Sequence, residues 1–383
     1  MATVNSTQVS RNLAMRDVDV AKAGPGGRSS MSGVRATCFG ATGFLGRYVV
    51  NQLGKIGSQV VIPNRCGENF YQHLQVMGDL GQIALQDFDD GTFLRDDATV
   101  TELLSRSNVV VNMVGRDFET FNYKWEELNV EFAERIARCA RAAGVERLVH
   151  VSALGADAGS ASRNLRTKAA GEAAVLAAFP DATIVRPAPL TGCEDRLLNN
   201  MALMTKNLPF LPLVEGGDTP MQPVYVTDVA EAIMATLETE AAKGATYELG
   251  GPKVYTYKQL VDLVQGIIRE PSNSLPVPGA LAKLFGRPRE AVVGAIPFHI
   301  PTGQLFTSDY VEALLQEGAR PFTVSEGALG FADLGMAPRP IDEGVPIEHV
   351  RFWRTGGYDF GSDAYVEGTG ELKPPPKVEG GAW

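Results

Sequence analysis

Three glycines stand at the spacing that a phosphate cradle needs. In the run Val34-Arg35-Ala36-Thr37-Cys38-Phe39-Gly40-Ala41-Thr42-Gly43-Phe44-Leu45-Gly46-Arg47, a short apolar, β-branched piece breaks at Gly40 and resumes as an apolar-periodic helix from about Phe44. Gly40 permits a tight turn, Gly43 lets backbone approach a pyrophosphate, and Gly46 lets the helix pack closely on the strand. The helix start around Thr42, Phe44 and Leu45 offers unpaired N–H groups and a partial positive charge to that phosphate. A glycine triplet alone also fits an ordinary turn; the strand–turn–helix setting makes it a dinucleotide site.

The second strand decides which dinucleotide. An acid at its tip accepts a hydrogen bond from the adenosine 2′-hydroxyl and selects NAD, whereas a cation accommodates the 2′-phosphate of NADP. Here the tip reads Pro63-Asn64-Arg65, with no acid, and Arg47 just past the third glycine could reach the same phosphate. Guanidinium–phosphate bonds are charge-assisted and forked. NADPH is therefore the expected cofactor, the other reading of Arg65 being a solvated loop charge. Asp87 with Phe88 at the tip of the third strand would meet the adenine, and Val114-Gly115 after the fourth leaves room for the cofactor. Asp87 and Gly115 also fit plain turns.

These residues need a sheet to position them, and the chain supplies one. Strands are predicted at Gln59–Ile62, Gln82–Gln86, Val109–Val114, Arg147–Val151 and Ala182–Arg186, the last stopped by Pro187. Helical spacing recurs at Glu127–Ala143, Arg166–Phe179, Leu197–Lys206, Asp228–Leu237 and Tyr257–Ile268. Repeated βα units mean an α/β, Rossmann-type, doubly wound parallel sheet with right-handed crossovers. Residues 1–32 read as an extended N-terminal segment and 33–270 as the nucleotide-binding domain, with substrate-lobe elements from about 188. Residues 271–355 read as a smaller, proline-punctuated lobe, and 356–383 as an extended Gly- and Pro-rich tail.

Composition narrows the rest. With 383 residues, 44% hydrophobic, 21% charged and a net charge of −10, this is an ordinary globular chain with no electrostatic footprint for nucleic acid. No apolar run reaches the roughly 18 residues of a membrane span. The four cysteines, Cys38, Cys66, Cys139 and Cys193, are scattered without zinc or disulfide spacing. No His, Asp and Glu cluster has metal spacing. His150 lies within a buried strand and reads as a core histidine. The first thirty residues carry Arg11, Arg16, Lys22 and Arg28 against two acids, which suits a mitochondrial presequence, though no clear amphipathic helix is visible.

Together the motifs are similar to the extended or atypical short-chain dehydrogenase/reductase family. The carriers are Gly40 to Gly46, Leu148-Val149-His150-Val151-Ser152-Ala153-Leu154-Gly155, Lys168-Ala169-Ala170-Gly171-Glu172, Ile184-Val185-Arg186-Pro187 and Gln222 to Ala230, so the likeness spans roughly Val34 to Glu270. Within the family the chain most resembles the nucleotide-binding accessory subunits of mitochondrial respiratory complex I. Its points of likeness to them include Gly26 to Ser30, Met77 to Gly81, Ser107 to Asn112, Val114 to Arg116 and Glu194 to Arg196. This resemblance implies bound NADPH, with Ser152, Lys168 and Pro187 among the residues around it. It also implies other complex I subunits as partners at the junction of the matrix and membrane arms, on the matrix side of the inner membrane, with peripheral lipid contact through Leu281–Phe285 and Ala291–Phe298. The alternative for those two apolar pieces is the lobe's own core.

Active members of the family use Tyr-x-x-x-Lys, the phenol moving the proton and the Lys holding the ribose. Here Lys168 is present but Asn164 stands four residues before it. An amide has no titratable proton in a usable range. The resemblance therefore implies an accessory role without catalysis, Ser152, Asn164 and Lys168 being degenerate positions. Against this stands an active NADPH-dependent reductase or epimerase, since some relatives work with the Lys and no Tyr. Tyr123 and Tyr225 lack the spacing to replace the phenol, and Tyr225 reads as core.

Overall fold

The computed structural model describes residues 22–65, 71–87, 96–270, 273–284, 286–287, 307–316 and 321–354. The β-branched runs form strands β1 (Arg35–Phe39), β2 (Gln59–Asn64), β3 (Ile83–Asp87), β4 (Val109–Asn112), β5 (Arg147–Val151) and β6 (Thr183–Pro187). Short strands β7 (Leu190–Thr191), β8 (Leu211–Val214), β9 (Pro220–Met221) and β10 (Val224–Tyr225) precede β11 (Thr246–Leu249). The main sheet has the order β11-β6-β5-β4-β1-β2-β3, and all its pairings are parallel. The order reverses between β1 and β4, where Phe39 stands beside Asn112. In doubly wound sheets that switch point opens the ligand crevice.

Strand periodicity sorts the core into two layers. Val109, Val111, Val149 and Val185 pack on one face with helix α1 (Phe44–Lys55). Val110, Leu148 and Ile184 pack on the other with α2 (Asp97–Leu104) and α3 (Phe132–Ala142). Adjacent strand residues thus point to opposite faces, as the pleat demands. Helix α4 (Arg163–Ala178) lies beside α3, and Gly171 makes their approach possible: a Cβ there would sit 1.9 Å from the Asn129 carbonyl oxygen.

Several elements depart from the sequence reading. The fourth strand ends at Asn112 rather than Val114, because the Asn112 side chain accepts the Val114 N–H at 3.2 Å and breaks the ladder. The helix expected from Glu127 opens instead as a π-helical turn, Glu126–Glu131, before α3. Helix α2 was not foreseen; Asp96 caps it, accepting from Ala98 and Thr99 N–H at 3.2 and 3.1 Å. Strand β11 was also missed: at four residues, Thr246–Leu249, its alternation is too short to stand out in the sequence.

Helix α6 (Val226–Glu238) packs on the main sheet beside α1, with Val229, Ala230 and Ile233 in the same core as Val49 and Leu53. The second lobe is built from α5 (Leu198–Asn207), strand β12 (Tyr255–Thr256), α7 (Tyr257–Ile268), strand β13 (Ser274–Val277), α8 (Ser308–Leu314) and α9 (Val345–Glu348). Thr256 and Gln259 form a reciprocal capping box on α7. Leu198, Met201, Leu260 and Val264 share one core with Val311, Phe322, Ile347 and Val350. Val311, Phe322, Ile347 and Val350 thus join the lobe that α5 and α7 begin, whereas Phe331, with Val324, Leu334 and Met336 around it, packs in the core of the main sheet. In the first apolar piece, Ala282 is buried in that core while Leu281 and Leu284 are exposed. Residues 1–21, Cys66, Phe88, Ala291–Phe298 and the tail lie outside the described residues.

Candidate functional site

The glycine turn is where the sheet's switch point meets the start of α1. Gly40 has φ +75°, and a Cβ on it would lie 2.8 Å from the Met113 carbonyl oxygen at the end of β4. A Cβ on Gly46 would lie 2.5 Å from the Gly40 carbonyl oxygen. These are backbone contacts, so neither glycine tolerates a side chain without moving the turn. Gly43 is the N-cap of α1, with no side chain occupying its N-terminus.

From this turn a cavity of about 850 Å³ runs to the second lobe. Gly40, Gly43, Phe44, Leu45, Gly46, Val114, Gly115, Ser152, Asn164, Lys168 and Pro187 line it, drawn from stretches up to about 150 residues apart. A Cβ on Gly115 would meet nothing within 4 Å, so the fourth strand's exit is open as the reading required. At the far end Trp125, Tyr257, Tyr310, Phe322 and Met204 form an apolar wall. The cradle fits a dinucleotide: the close-packed turn, the unobstructed α1 start and the open Gly115 lie along one trough. One buried group also waits on it, for Ser152 Oγ has no hydrogen-bond partner among the described residues.

The degenerate centre is well held. Lys168 Nζ donates to the Ser152 carbonyl oxygen at 3.4 Å. Burial pushes the Lys168 pKa below its ordinary value, against the pull of Asp117 and Glu172. Asn164, one turn earlier on α4, accepts from Asn129 Nδ2 at 3.3 Å, while Asn129 also donates to Thr167 Oγ1 at 3.0 Å. Asn129 sits in the π-helical turn, which aims it at α4. Asp309, at the start of α8, accepts from Ser162 Oγ at 2.6 Å, from the Arg163 N–H at 2.6 Å and from the Asn164 N–H at 3.4 Å. Neither Asn129 nor Asp309 was singled out from sequence. Asn129 carries no spacing signal, and Asp309 arrives from far along the chain.

The residues expected from sequence to select the cofactor divide. Arg65 stacks on the Tyr123 ring, 4.2 Å from its centroid, and Arg116 lies 5.8 Å from the same centroid. Arg47 instead forms an ion pair with Glu194 at 2.9 Å. Asp87 accepts from the Tyr71 hydroxyl. His150 is buried against Asn112 Nδ2 at 3.1 Å, and burial, with the Lys168 charge, lowers its pKa to about 4. It is a neutral core histidine. Tyr225 is buried too, as read.

Comparison with known proteins agrees with this geometry. The profile of the NAD dependent epimerase/dehydratase family matches residues 37–250. The mitochondrial NADH dehydrogenase [ubiquinone] 1 alpha subcomplex subunit 9 of Arabidopsis thaliana is 45% identical over 94% of this chain and 88% of its own length. The protein of that name from Mus musculus is 41% identical over 87% and 84%. Among solved structures, the triphenylmethane reductase of Citrobacter sp. superposes with a TM-score of 0.60 over 83% of this chain and 99% of its own, at 16% identity, which speaks to fold alone. The chain belongs to the NAD dependent epimerase/dehydratase family, and within it to the group of alpha subcomplex subunit 9 proteins of NADH dehydrogenase.

Proposed function

We propose that this chain is a mitochondrial complex I subunit that holds NADPH as a structural cofactor and does not turn it over. The observation that carries the silence is Asn164: at the position of the family's phenol, facing the cavity beside Lys168, stands an amide whose Oδ1 accepts from Asn129, while Asp309 accepts from the Asn164 backbone N–H. Losing a positioned general acid typically forfeits roughly 10²–10⁴ in rate. Arg65, held on an aromatic face, supports NADPH over NADH. Bound nucleotide stabilises the fold by mass action, about 4 kcal/mol at a thousand times Kd.

The assembly follows from relatives that bear the subunit's name and match nearly end to end. A peripheral place on the matrix face, at the junction of the two arms, suits the second lobe. There Leu208, Phe210, Leu275, Leu281 and Leu284 are exposed, and no helix among the described residues is long and apolar enough to cross a membrane. The residues proposed for the cofactor are Gly40, Thr42, Gly43, Phe44, Leu45, Gly46, Arg65, Val114, Gly115, Ser152, Lys168 and Pro187, with Asp87 for the adenine; Phe88, expected beside Asp87, lies outside the described residues. Arg47 contributes by fixing α1 through Glu194.

A second reading, an active NADPH-dependent reductase or epimerase, is favoured by the open cavity and the intact Ser152 and Lys168. One purification separates the two. NADPH released only on denaturation, not consumed with a panel of carbonyl compounds, from a chain that migrates in a large inner-membrane particle is the expected result. Turnover with any carbonyl, or a chain that migrates alone, refutes the proposal.

A further inference from the structure

The loop after β4 folds back over the tip of β2. Its turn is fixed locally: the Thr120 N–H donates to the Tyr123 carbonyl at 3.1 Å. Glu119 accepts the Trp125 N–H at 3.1 Å, and Trp125 Nε1 donates to the Arg116 carbonyl at 3.0 Å. Trp125 is buried, so the loop is anchored. What it presents at the β2 tip is Tyr123.

A guanidinium that stacks on an aromatic ring uses its flat face and leaves its N–H edge available for a forked bond to phosphate. A guanidinium paired with a carboxylate has part of that edge, and its charge, already engaged. Arg65 is in the first condition: among the described residues its partner is the Tyr123 ring at 4.2 Å, not a carboxylate. Arg47 is in the second, bound to Glu194. Of the two cations expected at the 2′-phosphate, Arg65 is the one with no carboxylate on it among the described residues.

We propose that Tyr123 is a positioning residue for nucleotide selection: it holds Arg65 edge-on to the adenosine 2′-phosphate, so preference for NADPH depends on the β4 loop as well as on the β2 tip. The proposal rests on the NADPH reading above. Arg116, 5.8 Å from the same ring, adds positive charge at that end of the cavity. Tyr123 touches no reacting atom; it acts through Arg65.

The test is the ratio of NADPH to NADH affinity, titrated on the full-length chain, with 2′,5′-ADP against ADP as a check free of the nicotinamide. Tyr123→Phe keeps the ring and is expected to keep the wild-type ratio. Tyr123→Leu and Tyr123→Gln are expected to lower it roughly two- to fivefold through NADPH alone, the size of an exposed cation–π contact. In an Arg65→Ala background the same changes are expected to have no further effect on the ratio, because the residue they act through is gone. Equal weakening of both nucleotides, an unchanged ratio, or an undiminished effect without Arg65 would overturn the proposal. A wild-type chain with no preference for NADPH would instead overturn the cofactor reading beneath it.

Discussion

Replacing Asp309 tests whether α8 fastens the second lobe to the mouth of the nucleotide crevice. Its carboxylate serves three donors at the start of α4: Ser162 Oγ, the Arg163 N–H and the Asn164 N–H. Ser162 also caps the helix itself, accepting from the Leu165 N–H at 3.3 Å. Loss of a capping acceptor costs about 1 kcal/mol, and a hydrogen bond to a charged acceptor contributes about 1.5–3 kcal/mol. Because Ser162 remains to cap, Asp309→Ala is expected to cost about 2–3 kcal/mol. Asp309→Asn, which keeps a carbonyl acceptor and the volume, is expected to cost about 1 kcal/mol. The acidity adds a sign. Burial raises the Asp309 pKa above its ordinary 3.8; the three hydrogen bonds oppose it, and Glu312 nearby adds to the rise. With the native pKa above the unfolded one, the native state binds its proton more tightly. The stabilisation is complete below about 3.8 and is lost as pH rises through the native pKa. The wild-type advantage over Asp309→Asn should therefore shrink as pH climbs from about 4 and then level off. Urea unfolding of the wild type and both variants across that range, taken as differences so that other titrations cancel, gives the answer. An Asp309→Ala cost below about 0.5 kcal/mol, within the range of featureless surface sites, or an advantage that grows with pH, would refute the latch.

Arg65→Ala should weaken NADPH about tenfold or more, through lost charge-assisted bonds, and leave NADH unchanged; equal loss in a fluorescence titration rejects the 2′-phosphate assignment. Gly46→Ala places a Cβ 2.5 Å from the Gly40 carbonyl oxygen; an overpacking cost of about 1–3 kcal/mol and a lost NADPH-dependent rise in Tm are expected by calorimetry. His150, with its native pKa lowered to about 4, should make stability fall as pH drops from about 6.5 toward 4, a slope that His150→Gln removes. Asn164→Tyr restores a phenol beside Lys168 in an open cavity. If the amide alone silences the site, NADPH oxidation with carbonyl compounds should rise roughly 10²–10⁴-fold; no rise with nucleotide still bound would place the silence in the cavity wall.

The half of the molecule that follows local rules was legible. Gly43 and Gly46 announce their turn because backbone of the same stretch, at Gly40 and Ala41, crowds both positions, and Gly40 adds a positive φ of +75°. The six strands read from β-branched runs pair as parallel neighbours, and the central β4, an unbroken apolar run to Val111, is buried on both faces. What was not legible depends on distant partners. Thr246–Leu249 becomes a strand only because β6 offers an edge and Glu248 finds Arg186 at 3.2 Å. The π-helical turn that aims Asn129 is a register slip that the apolar spacing of the following helix conceals. That Glu194 pairs with Arg47 was not legible either, because the two stand far apart in the chain. Asn164 was readable as a missing phenol; its anchoring by Asp309 was not.

One loop, Cys193 to Arg196, explains how the crevice and the second lobe become a single body. Glu194 reaches Arg47 on α1, Arg196 reaches Asp117 at 2.7 Å on the cavity rim, and Asp195 reaches His349 at 3.2 Å past the end of α9. The first two pairs are exposed, and exposed pairs are worth about 0–1 kcal/mol each. The third is different. Asp195 is fully buried and also accepts from the Gly192 and Asn199 N–H groups at 3.2 and 2.9 Å, while Asn199 Oδ1 accepts from Trp353 Nε1 at 2.7 Å. Removing His349 would leave a buried acceptor short of a partner, a loss of about 1–3 kcal/mol. The buried member therefore sets the position of the loop, and the surface pairs on either side take their geometry from it. Residues 345–353 are thereby fixed to the wall that carries Glu194, and through Arg47 to helix α1, whose N-terminus opens on the cavity. Whatever steadies α1 therefore also steadies the segment around His349.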